Sequence, residues 1–79
     1  MSFTKEDAKD ALANEANFEA LYEDLDTRAE VLEALGNLNV TDGGVMTSAQ
    51  AREWVASEDN LESLDMDEFS QALEALARS

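Results

Sequence analysis

Apolar residues recur along this chain at intervals of three and four, with acidic or small polar residues between them, which is the periodicity of amphipathic helices. Phe18, Leu21, Tyr22 and Leu25 make one stripe, and Val31, Leu32, Leu35 and Leu38 make a second. Met66, Phe69, Ala72, Leu73 and Leu76 make a third, and Trp54 and Val55 lie on a shorter segment between them. Helix starts stand out because Thr4 with Asp7, Thr27 with Glu30, Thr47 with Gln50 and Asp65 with Glu68 all have the spacing of a capping box. Phe3 precedes the first box, and Leu64 and Phe69 occupy the two staple positions around the last. Gly36 or Asn37 is expected to fray the end of the helix that Thr27 opens. Leu12 falls off the Phe18–Leu25 stripe if one straight helix is continued backwards. A break near Asn14–Asn17 removes that conflict and predicts two helices, about 4–13 and 16–25.

Between the second stripe and Thr47 lies LNVTDGGVMT, whose Asp42-Gly43 pair is a hairpin signal. Val40 and Val45 would pair over two or three residues, a tiny ribbon at most. The pattern therefore predicts an all-α fold: a compact bundle of four to five short helices with one glycine-rich loop or tiny hairpin near 38–47. Seventy-nine residues make a single small acidic domain, 1–79, in which Met46, Trp54 and Val55 are expected to join the core.

Composition narrows the chemistry. Without cysteine or histidine the chain has no disulfide, no thiolate or imidazole ligand and no imidazole base. Paired carboxylates are plentiful, yet no nucleophile–base pair or phosphate-cradling loop accompanies them, so the expectation is a protein that is not an enzyme and needs no cofactor. The absence of a long apolar run and of a charged-then-apolar N-terminus predicts a cytoplasmic location. The net charge of −14 argues against direct contact with nucleic acid or an anionic membrane and favours a basic protein partner. Residues 1–26 carry eight acids and residues 57–79 carry seven, whereas 27–56 carry four, so two acidic flanks surround a nearly neutral centre.

The segment NVTDGGVMTSAQ (39–50) resembles the calcium loop of the EF-hand family, with glycine at the sixth place and a helix start at the end. The resemblance implies ligands at Asn39, Thr41, Gly43, the Val45 carbonyl, Thr47 and Gln50, and none of those places holds a carboxylate. A second fragment ending at Glu68 places Leu61 and Glu62 where a ligand and the turning glycine belong. Only six residues (51–56) separate the two loops, too few for an exiting helix and an entering one. The expectation is therefore no metal, with a degenerate calcium binder as a minor alternative.

Acids at helix starts need no function, because negative charge is favourable there by ~0.3–1 kcal/mol each. Glu15, Glu19 and Glu23 stand at i, i+4 and i+8 with Asp24 just beyond, and Glu58, Asp59 and Glu62 form a second cluster without lysine partners. Like charges one turn apart cost ~0.2–0.5 kcal/mol per pair, so local stability does not select the row. These seven residues are the candidate partner-binding site. Carboxylates on successive turns sit roughly 5–6 Å apart, a spacing suited to lysines and arginines that track phosphates. The leading expectation is a nucleic-acid-mimic inhibitor that blocks the basic, nucleic-acid-binding surface of another protein. In general character the chain is similar to phage-encoded anti-restriction and anti-CRISPR proteins. Two alternatives stay open. One is a salt-adapted domain, consistent with thirteen alanines, two lysines and no isoleucine, and the other is an adaptor using an apolar patch around Trp54.

Overall fold

Single polar residues set where this chain changes direction. The computed structural model describes residues 3–37 and 46–78, which form six helices. Helix α1 spans Lys5–Ala13, α2 Glu15–Glu23 and α3 Leu25–Asn37, followed by α4 Ser48–Val55, α5 Glu58–Ser63 and α6 Met66–Arg78. No strand occurs among the described residues. The anticipated glycine-rich loop or hairpin at 38–47 lies almost wholly outside them.

Asn14 alone separates α1 from α2. It is extended (φ −136°, ψ 107°), its N–H donates to the Ala11 carbonyl to close α1, and its side chain accepts from the Asn17 N–H to open α2. Asp24 does the same one helix later, with its N–H on the Leu21 carbonyl (3.3 Å) and its carboxylate accepting from the Asp26 N–H (3.0 Å). Short polar side chains suit such pivots because they satisfy nearby backbone donors outside helical geometry. The boxes at Thr4–Asp7, Thr47–Gln50 and Asp65–Glu68 form as the spacing predicted. Thr27–Glu30 does not, because Asp24 caps α3 first and leaves Thr27 inside its opening turn.

Helix α3 is the hub. It packs on α2, α4, α5 and α6, while α1 packs on α6 and α2. Val31, Leu32 and Leu35 of α3 join Leu64, Phe69, Leu73 and Leu76 as the large, completely buried side chains. Helix α1 contributes only Ala8 and Ala11, small enough to let its backbone lie close to α6. Phe69 is flanked by two rings of α2, Phe18 at 5.5 Å and Tyr22 at 5.6 Å between centroids. These tilted and edge-on geometries are favoured for aromatic pairs.

One expectation of burial fails: Met66, the first residue of α6, is 42 % exposed. Leu12, which prompted the break after α1, is 39 % exposed. The break turns the Ala8–Ala11 face toward α6 rather than bringing Leu12 inside. One helix was not anticipated at all: α5 has six residues, too few for a periodic pattern to register.

Two arginines serve helix C-termini at a distance. Helices α1, α2, α3 and α5 have no cation in their own last turns, where carbonyls are left without intrahelical partners. Arg28 donates through Nε to the Tyr22 carbonyl near the end of α2 and through Nη1 (2.9 Å) to the Leu61 carbonyl of α5. Its guanidinium also lies 4.0 Å from the Tyr22 ring centroid, a cation–π distance. Arg52 reaches the Gly36 carbonyl of α3 (2.8 Å), and a Cβ at Gly36 would stand 2.9 Å from Arg52 Cγ. Glycine at 36 therefore admits that close approach.

Candidate functional site

All seven candidate carboxylates, Glu15, Glu19, Glu23, Asp24, Glu58, Asp59 and Glu62, are exposed. The fold nevertheless sorts them by local role. Glu15 opens α2, Asp24 caps α3, and Glu58 and Asp59 occupy the first turn of α5 behind the Ser57 cap. For those four, helix capping and the macrodipole already account for a negative charge. This corrects the premise that none of the cluster is explained by capping. Its cause is that α5 and the one-residue joint at Asp24 were invisible in the periodicity.

Glu19, Glu23 and Glu62 have no such account. Glu19 sits mid-helix on α2. Glu23 is the last residue of α2, and Glu62 lies in the last turn of α5, where the dipole disfavours negative charge. Each of these last two stands one residue beyond a carbonyl held by Arg28. Tyr22 reinforces the same junction by donating its hydroxyl to the Leu64 carbonyl at 2.6 Å. The two acidic helices are thus tied together at their C-terminal ends around a half-buried guanidinium, a joining that sequence separation concealed.

At its other end, α2 borders an open groove of 290 Å³ whose lining includes Leu12 of α1, Phe18 of α2 and Met66 of α6, with Glu15 and Glu19 at its side. Leu12 and Met66 are the exposed large apolar side chains of the described structure. Sequence reasoning missed both as surface features, although Leu12 gave a signal by falling off the helical stripe. A second open groove of 220 Å³ brings Asp7, Asp10 and Glu30 near Leu21. Asp7 is already engaged there with the Thr4 N–H.

Trp54 is half-buried and packs against the edge of the core, neither sealed inside nor projecting as an anchor. Among the described residues the exposed large apolar side chains are therefore Leu12 and Met66 rather than Trp54. The segment 57–68 holds a helix and two caps where an EF-hand-like loop would need an open turn. Most of the 39–50 segment lies outside the described residues. Among the described residues no group of three acids is placed to hold a metal ion, and no helix is long and apolar enough to cross a membrane. Comparison with protein-family models, curated proteins and solved structures finds no match to this chain.

Proposed function

We propose that this chain is a non-enzymatic, acidic interaction module that occupies the nucleic-acid-binding surface of a basic partner protein. Nucleic-acid mimics among the anti-restriction and anti-CRISPR inhibitors act in this general way. The observation that carries the reading is the trio Glu19, Glu23 and Glu62, exposed carboxylates that no cap or helix start explains. Two of them stand at helix ends where negative charge lowers stability. A partner with lysines and arginines spaced for phosphates would turn that local cost into long-range attraction. The chain's net charge of −14 supports fast, salt-sensitive association with such a partner.

The composition favours a second reading, a salt-adapted domain whose acids keep it hydrated. One pair of measurements separates the two. Circular dichroism against potassium chloride should show a cooperative fold already complete at ~0.1 M, where the Debye length is ~10 Å. Added to restriction endonucleases and CRISPR effector complexes, the chain should release bound DNA from at least one of them. The triple variant E19K/E23K/E62K should lose that effect while staying helical. A chain that folds only in molar salt, or a triple variant that competes as well as the parent, sinks the mimic.

A further inference from the structure

The groove between α1, α2 and the start of α6 unites the exposed apolar pair with part of the acidic row, a juxtaposition that the carboxylates alone do not imply. Leu12 and Met66 come from helices separated by more than fifty residues and face one opening over Phe18. Glu15 and Glu19 border the same opening one helical turn apart, so their Cβ atoms are about 5–6 Å from each other. We infer that this groove docks a basic amphipathic helix of the partner, taking one or two of its apolar side chains against Leu12, Phe18 and Met66 while its lysines or arginines meet Glu15 and Glu19.

Size and charge select that occupant. At 290 Å³ the groove falls at the lower limit of small-molecule pockets, about 300–1,000 Å³, and it is open rather than enclosed. A protruding side chain or two suits it better than a whole ligand. Cations one turn apart on an incoming helix match the spacing of Glu15 and Glu19, and apolar anchors at i and i+3 or i+4 lie beside them on the same face. A second copy of this chain is disfavoured, because it would bring another −14 charge and its own Glu15 and Glu19 to the same rim. The inference rests on the proposed reading for the sign of the partner's charge, and adds that attraction is converted into a specific complex at one apolar anchor point.

The test uses a synthetic helix-forming peptide of leucine and lysine, with leucines on one face, and a scrambled peptide of the same composition that lacks the face. Titration calorimetry in ~0.1 M potassium chloride, at a Debye length of ~10 Å, measures both against the parent chain and against L12S, M66S and E19Q. The amphipathic peptide should bind at least about tenfold more tightly than the scramble, a difference of ~1.4 kcal/mol. L12S and M66S, changes at exposed positions, should erase most of that advantage and leave the scramble's affinity unchanged. E19Q should weaken both peptides. Circular dichroism confirms that each variant keeps its helices, and two separate apolar substitutions guard against one misfolding. If both peptides bind equally and neither serine variant matters, the groove is not an anchor and the acidic reading stands alone. If neither peptide binds to the folded chain, the groove and the acidic reading fall together. Sedimentation showing a dimer that M66S dissociates would assign the groove to a second copy instead and overturn the inference.

Discussion

Helix α6 buries five side chains and carries Arg78 in its last turn, whereas α2 buries none completely and ends on Glu23 with no cation of its own. Both helices contribute to one domain, but they are held differently. Helix α6 is secured by its apolar face, as most helices in proteins are. Helix α2 is secured by particular contacts: the Phe18 and Tyr22 rings against Phe69, the Tyr22 hydroxyl on the Leu64 carbonyl, and the Arg28 guanidinium at its C-terminus. The difference teaches how a small helix can present a row of carboxylates to solvent. Its outward face is free to be acidic because its attachment depends on few inward groups, none of them acidic.

The severest way to break the contrast is to remove the group both helices share. Phe69 is completely buried on α6 and meets both aromatic rings of α2. F69A should cost ~3–5 kcal/mol, the range for removing a buried phenylalanine ring. At roughly 0.05–0.15 kcal/mol per residue, a chain of this length has about 4–12 kcal/mol in total. Thermal melting followed by circular dichroism should show the midpoint falling by at least about 12 °C, taking ~4–8 °C per kcal/mol for a domain of this size. A loss below about 1 kcal/mol would mean that the core closes over the gap and that Phe69 is not the common anchor.

Removing Arg28 tests the α2 side of the contrast and the junction with α5. The side chain bonds two carbonyls and lies over Tyr22, so R28M deletes charge-assisted hydrogen bonds while keeping much of the aliphatic bulk. Such bonds contribute ~1.5–3 kcal/mol each when well shielded, and here the site is only partly buried. A loss of about 2–3 kcal/mol in denaturant unfolding is expected. R28K should recover less than half of it, because one ammonium lacks the planar fork that spans two separate carbonyls. Hydrogen exchange should show α2 and α5 loosening before α3 and α6. Uniform loosening of all four would make Arg28 a general core support instead.

Arg28 also marks the limit of what the sequence disclosed. Three of the four capping boxes read from the sequence form, because box partners lie three residues apart and the side chains name themselves. The stripes of α3 and α6 were legible for the same local reason. Arg28 bonds carbonyls six and thirty-three residues away, and a carbonyl is present at every position, so no residue type points to it. Helix α5 escaped because six residues show less than two turns of periodicity, which left Glu58 and Asp59 looking unexplained. Met66 escaped for the opposite reason. It fits the periodic stripe of α6 but stands at the first turn, beside the groove rather than over the core.

The smallest effect sharpens the comparison most finely, because it asks one helix about its own two ends. Glu15 and Glu23 are both exposed on α2, the first at its N-terminal turn and the second at its C-terminal residue. If the dipole governs, E15Q removes a favourable interaction and E23Q removes an unfavourable one, so the same loss of charge should shift stability in opposite directions. Each shift should be ~0.3–1 kcal/mol at low ionic strength, with the sign positive for E23Q and negative for E15Q. Both substitutions also relieve repulsion from Glu19, one turn away in each case, which adds ~0.2–0.5 kcal/mol to both. The raw values will therefore be asymmetric, larger for E23Q than for E15Q, and their difference isolates the contribution of the ends. Raising potassium chloride toward ~1 M, where the Debye length is ~3 Å, should reduce both shifts. Urea unfolding of the parent, E15Q and E23Q at two salt concentrations measures all of these quantities. Equal stabilisation by both variants would show that general repulsion from the charge of −14, and not position on the helix, determines what each carboxylate costs. The separation of Glu19, Glu23 and Glu62 from the capping acids would then lose its physical basis.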